Sequence, residues 1–179
     1  MNRRSLGALK RAFEQTTNIL RISSEISLES LGALAESLRC DWATYWQVDP
    51  AAQVLRAKVT WRRPGVDSAH LARDTQGRSL TMSEGVAGHV WRSRKPIWTN
   101  NIVQDMCLPR SLDASEAGLH GGVWFAVQNK RTVYGVIELL GRDLNPGTRE
   151  HLLVIEQFGF TLGKIKDTEH SSAAPRAPL

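Results

Sequence analysis

Five histidines, two cysteines and a set of tryptophans hold most of the reactive or ligand-binding chemistry open to this 179-residue chain. A thiol works as nucleophile or metal ligand only when ionised, and zinc or redox use needs partners at close spacing. Cys40 and Cys107 form no CxxC pair and have no cluster of Cys or His around them, so both read as reduced, incidental thiols. His89 and His120 lie in stretches rich in glycine and aromatics, where an imidazole can hydrogen-bond an acidic or heteroaromatic ligand, or ligate haem iron. His70, His151 and His170 read as surface residues. Trp46, Trp61, Trp91, Trp98 and Trp124 offer flat apolar faces that either line a pocket or simply fill a core. Glu138 stands inside an apolar run and needs a hydrogen-bond or charged partner. No GxSxG, Walker loop, HExxH or kinase signature is present, and Asp67, Asp74, Glu84, Asp105 and Asp113 scatter among polar neighbours as solvated loops do. No catalytic residue, metal site or cofactor is expected, with haem kept only as an alternative.

Those residues must be held by elements that periodicity outlines. Leu6, Leu9, Phe13 and Leu20 recur at helical spacing and predict a helix over 5–20. A second helix follows over 28–39, with Ser27 as its cap. Residues 41–49 alternate, with Trp42, Thr44, Trp46 and Val48 on one side and Ala43 and Tyr45 on the other, so they form a strand that pairs with 54–62 across an Asp49-Pro50 turn. The stretch 64–82 reads as irregular apart from a turn of helix near Leu71, and Ser83 is placed to cap a short helix ending at Arg94. Strands are expected over 96–99, 119–127 and 132–140, with a long connection over 100–118 that turns helical after Pro109. Pro146 opens a last helix reaching about Lys166, apolar over so wide an arc that one stripe needs a partner besides the sheet. Strands grouped between terminal helices imply an α+β domain with a mainly antiparallel sheet. The chain divides into an N-terminal helix and linker (1–27), a domain (28–166) and a small, polar tail (167–179) expected to be disordered.

Composition excludes several classes. With 41% apolar and 23% charged residues the chain is an ordinary globular one, and no apolar run approaches the roughly 18 residues of a membrane span. A cytoplasmic location is the default. The net charge of +5 is local, carried by Arg3, Arg4, Lys10, Arg11 and Arg21 and by Arg56, Lys58, Arg62 and Arg63. Neither run has the interleaved aromatics or recognition-helix pattern of a nucleic-acid module, so both read as solvated basic faces.

Four stretches carry a resemblance: Asp41-Trp42-Ala43-Thr44-Tyr45-Trp46-Gln47-Val48-Asp49, Gly85-Val86-Ala87-Gly88-His89-Val90-Trp91 with Lys95-Pro96-Ile97-Trp98, Gly118-Leu119-His120-Gly121-Gly122-Val123-Trp124-Phe125, and Tyr134-Gly135-Val136-Ile137-Glu138-Leu139. In order and spacing they resemble a GAF domain, most of all those accompanying PAS domains in bacterial sensor kinases and cyclases. The resemblance implies a sheet with the terminal helices on one face and loops and short helices over the other, where a small-molecule pocket would lie. It implies a stand-alone sensory module binding a small molecule or protein partner, dimerising through its terminal helices and acting on a signalling protein in trans. The candidates for its pocket are Trp46, Trp61, His89, Trp91, Trp98, His120 and Trp124. The cysteine beside a histidine of bilin-binding relatives is missing, as is the Asn-Lys-Phe-Asp-Glu signature of cyclic-nucleotide-binding ones. Two cysteines are few for the methionine-sulfoxide-reducing type, which stands as the enzymatic alternative, beside a structural dimerisation unit whose pocket is filled.

Overall fold

The computed structural model describes residues 3–23, 25–106, 109–145 and 147–173. The elements run α1 (Arg3–Ser23), α2 (Leu28–Ser37), β1 (Trp42–Asp49), β2 (Val54–Arg62), α3 (Ala69–Gly77), β3 (Ser79–Leu80), α4 (Gly85–Ser93), β4 (Ile97–Thr99), α5 (Ile102–Met106), α6 (Pro109–Glu116), β5 (Gly121–Gln128), β6 (Val133–Gly141) and α7 (Arg149–Ala173). One six-stranded antiparallel sheet in the order β3-β2-β1-β6-β5-β4 organises them, so the α+β class is as the element order implied.

Alternation along β1 sends side chains to two different cores. Trp42 and Trp46 enter a cluster with Leu71, Val90, Trp91, Leu119 and Trp124, while Ala43 and Tyr45 enter one with Leu9, Phe13, Leu34, Phe125 and Phe158. β5 is buried along its whole length, as a near-continuous apolar run between two covered faces should be. The face under α1, α2 and α7 is closed by Phe13 stacked on Phe158 at 3.9 Å between ring centres. The other face is roofed by α3, α4, α5 and α6. Among the described residues no helix is long and apolar enough to cross a membrane.

Several elements differ from expectation. α1 packs into the same Leu9–Phe158 core as α2 and α7. The segment 64–82 holds a nine-residue helix, α3, anchored by fully buried Leu71 and Thr75, and the short strand β3 paired with β2. One leucine on a polar helix leaves too weak a periodicity to read in advance. Ser27 caps α2 as expected, in a reciprocal capping box with Ser30, but α4 takes Glu84 and not Ser83 at its N-cap. Pro146 lies outside the described residues, and α7 begins at Arg149. At the far end α7 runs beyond Lys166 to Ala173, so a disordered tail from 167 is incorrect for 167–173, while 174–179 lie outside the described residues. The physical reason is Asp167: its carboxylate accepts hydrogen bonds from Asn129 Nδ2 at 2.8 Å and from the Tyr134 hydroxyl, tying the last helix to the β5–β6 hairpin.

Candidate functional site

Between the sheet and the α3–α6 roof lies a cavity of about 320 Å³. β6 supplies Glu138 and Leu140, β5 supplies Trp124, α6 supplies Arg110 and Ala114, and the segment from β3 into α4 closes the side. Close approach explains part of the local sequence. At Gly88 a Cβ would sit 2.1 Å from the Thr81 carbonyl oxygen, so only glycine lets α4 lie this close to the chain leading into it.

Glu138 is the centre of the site. It is 2% exposed. Its Oε2 accepts from Arg110 Nη1 at 2.5 Å and from Trp124 Nε1 at 2.8 Å. Its Oε1 is buried and has no partner among the described residues. A buried carboxylate survives only when paired and hydrogen-bonded, and here half of it is satisfied. Arg110 in turn donates from Nη2 to Thr75 Oγ1 at 2.7 Å and stacks over the Trp46 ring at 5.0 Å. Its Nε lies 3.7 Å from Asp74 Oδ2, within ion-pair range but too long for a hydrogen bond, and is buried without a partner. Asp74 is held by the Arg78 guanidinium through Nε and Nη2. One charged chain thus runs from β6 through α6 to α3.

Trp124, of the residues singled out in the sequence, lines this cavity. Trp46 and Trp91 belong to the same core but are packed behind it as filler, at 0% and 5% exposure. Trp61 and Trp98 lie elsewhere: both pack against the opposite core, Trp61 over Gly32 of α2 and Trp98 edge-on to the His151 ring. Strand alternation decides this, since each sits on the parity that points away from the roof. His89 and His120 also lie away from this cavity. Both are exposed, His89 beside Arg92 at 3.2 Å and His120 just before β5 begins, and neither is among the residues that line it. His151, read as a surface residue, is buried, with its Nδ1 accepting from the Thr148 N–H at 3.1 Å. The side chain of His170 lies outside the described residues.

Sequence reading missed Arg110, Thr75, Asp74, Arg78 and Glu84. Asp74 is half-buried and anchors the charged chain, while Glu84, exposed as a solvated acid should be, stands at the edge of the cavity. The available signal was Glu138 itself, whose burial in a strand required a cation from elsewhere. Cys40 is buried, and burial, reinforced by the neighbouring Asp41 charge, pushes its thiol up to about 12. The side chain of Cys107 lies outside the described residues.

A GAF domain family profile matches residues 23–165. No curated protein sequence matches the chain. Among solved structures, the chain is similar to the GAF domain of an Acinetobacter phosphoenolpyruvate-protein phosphotransferase, at 15% identity and a TM-score of 0.65, covering 98% of this chain and 100% of that one. It is similar to the free methionine-R-sulfoxide reductase of Neisseria meningitidis, solved with its substrate, at 12% identity and a TM-score of 0.70 over 97% and 96% of the two chains. A domain of a Sinorhizobium meliloti two-component sensor histidine kinase protein matches at 14% identity and a TM-score of 0.58, over 80% and 90%. At these identities the likeness is one of fold.

Proposed function

The chain belongs to the GAF domain family, and from that premise we propose that it is a sensory module which holds a small molecule in the cavity under α4 and α6 and responds without turning it over. The observation that carries this reading is an open cavity of about 320 Å³ beside the buried Glu138–Arg110 pair, with Trp124 among its lining residues. A pocket filled by its own tryptophans would have no such vacancy beside Trp124.

The charged chain suggests how occupancy would be felt. A ligand donating to Glu138 competes with Arg110 for the same carboxylate and loosens the hold of β6 on α6 and α3. β6 also carries Tyr134, bonded to Asp167 of α7, so a shift at one end of the strand reaches the terminal helix through the other. In the same reading α1 and α7 pair two copies, which act on a signalling protein in trans in the cytoplasm. Ile22 on α1, 89% exposed, and Leu153 on α7, 55% exposed, support that pairing. Cys40, buried and absent from the lining of this cavity, offers it no thiol.

Thermal shift and isothermal titration against nucleotides, amino acids and aromatic metabolites test the module. The expected result is a raised Tm with one compound class, abolished by Ala114→Trp, which plugs the cavity. No shift with any compound overturns the reading. Sedimentation of the intact chain tests pairing: a dimer that Leu153→Asp dissociates supports it, and a monomer overturns it.

A further inference from the structure

The turn between β5 and β6 and the end of α4 beside it take no part in lining the cavity. We propose that together they form a rigid cationic platform that docks an acidic segment of a partner protein.

Hairpin tips are ordinarily among the loosest parts of a fold, with their backbone groups left to water. Here side chains hold the main chain of the tip from both sides. Asn129 Oδ1 accepts from the Arg131 N–H at 2.7 Å and from the Thr132 N–H at 2.6 Å. Arg94 donates from Nη1 to the Lys130 carbonyl oxygen at 3.2 Å and from Nη2 to that of Arg131 at 2.7 Å. Asn129 is anchored in turn, its Nδ2 donating to the Asp167 carboxylate of α7 at 2.8 Å and to the Tyr134 hydroxyl at 3.1 Å. Arg94 adopts a left-handed conformation, φ 60°, at a helix end where glycine is the usual resident. Gln128 Nε2 holds its carbonyl oxygen at 3.2 Å, so the surrounding bonds maintain that strain.

What this framework leaves free is charge. Lys130 and Arg131 are exposed, as is Arg92 in the last turn of α4. Among the described residues, none of Arg92, Arg94, Lys130 and Arg131 has an ion pair. The acids that meet these elements are engaged, Glu156 with Lys95 at 2.8 Å and Asp167 with Asn129 and Tyr134. Unopposed cations on a pinned backbone attract carboxylates, and a guanidinium fork grips a carboxylate at two points. A surface already ordered loses little freedom on binding.

The surroundings of the charges favour a protein segment over lipid or nucleic acid. The exposed large apolar side chains, Ile22, Leu28, Met82, Leu112 and Leu153, all stand off α4 and off this hairpin, and such side chains are what seats a basic surface in a bilayer. The aromatic residues of α4 and the hairpin, Trp91, Trp124, Phe125 and Tyr134, are buried or half-buried and present no open face for a base to stack on. A run of aspartate or glutamate needs neither.

The test titrates the full chain, in about 50 mM salt, with an octaglutamate peptide, phosphatidylserine vesicles and a short DNA duplex. The peptide is expected to bind, and to be released at about 300 mM salt, where exposed charges are screened. Changing Lys130→Glu and Arg131→Glu together is expected to weaken it about tenfold or more. Arg39→Glu with Arg62→Glu alters net charge equally at the opposite end of the sheet, and is expected to leave binding within about twofold. Should a variant not fold, amide shifts of the unaltered chain decide, and those of residues 92–95 and 129–132 are expected to move with the peptide. A peptide that does not bind, that both double variants weaken alike, or that moves other amides overturns the inference. Vesicles or DNA that bind more tightly than the peptide overturn it as well. None of these outcomes bears on the cavity, whose occupancy Ala114→Trp reports separately.

Discussion

The two faces of the sheet solve the same problem with opposite chemistry. Under α1, α2 and α7 the core is hydrocarbon and aromatic, with Phe13, Phe125 and Phe158 in mutual contact and the Tyr134–Asn129–Asp167 bonds at its edge. Under α3 to α6 the sheet buries Glu138, holds it with Arg110 and leaves a cavity beside the pair. Close-packed apolar contact gains stability without direction, whereas a buried ion pair gains little net stability but sets geometry. One face is thus packed as the fold requires, and the other keeps the space in which the proposed ligand would sit.

The comparison can be broken at its strongest point. Phe158→Ala removes a ring stacked at 3.9 Å and is expected to cost about 4 kcal/mol in urea unfolding, with no change in ligand preference. On the other face, Arg110→Met leaves the Glu138 charge buried without its cation and is expected to cost about 3 kcal/mol. Adding Glu138→Leu to it should restore most of that loss, because two apolar residues tolerate the site where one bare charge does not. If the double variant is no more stable than the single one, the pair is a stability device and the two faces are alike.

Gly159→Ala sharpens the picture of the helix face. Alanine gains about 1 kcal/mol of helix propensity over glycine, but here its Cβ would lie 2.1 Å from the Ala126 carbonyl oxygen. The clash wins, and a net loss of about 2 kcal/mol is expected in chemical denaturation. Cys40 adds a pH dependence. The folded thiol stays protonated up to about 12 while the unfolded one ionises from its ordinary 9.0, so the unfolded state sheds its proton first. Stability is therefore full below about pH 9 and falls as pH rises toward 12, by about 1.4 kcal/mol per unit. Urea midpoints at pH 8 and pH 10 should show this drop in the native chain and not in Cys40→Ala. Tyr134, pushed up to about 12 by desolvation and by Asp167, adds a loss of the same sign only above its ordinary 10.0. Smallest is Ser27→Ala, which removes the α2 capping box and should lower stability by about 1 kcal/mol in a thermal melt.

How much of this was legible varies by element. The β1 alternation, the β1–β2 and β5–β6 hairpins and the two long terminal helices follow from local pattern, because period and turn residues are written into contiguous positions. Of α3 only a turn near Leu71 was legible, since its other buried residue, Thr75, is polar. At the site, Trp124 was found because a strand aromatic beside glycines announces itself. Trp61 and Trp98 were misplaced because both faces of this sheet are covered, and residue type does not tell one apolar face from the other. Arg110 had no local mark at all. Its role exists only because α6 folds over β6, 28 residues further along the chain.

From the sequence alone came the α+β class, the order of the elements, the family resemblance and the requirement that Glu138 find a partner. Those depend on neighbours along the chain and on the cost of burying a charge. Which cation answers Glu138, which tryptophan faces the cavity and that one carboxylate oxygen is left vacant were decided by the tertiary structure. These are contacts between distant segments, and they exist only once α6 and α4 close over the sheet.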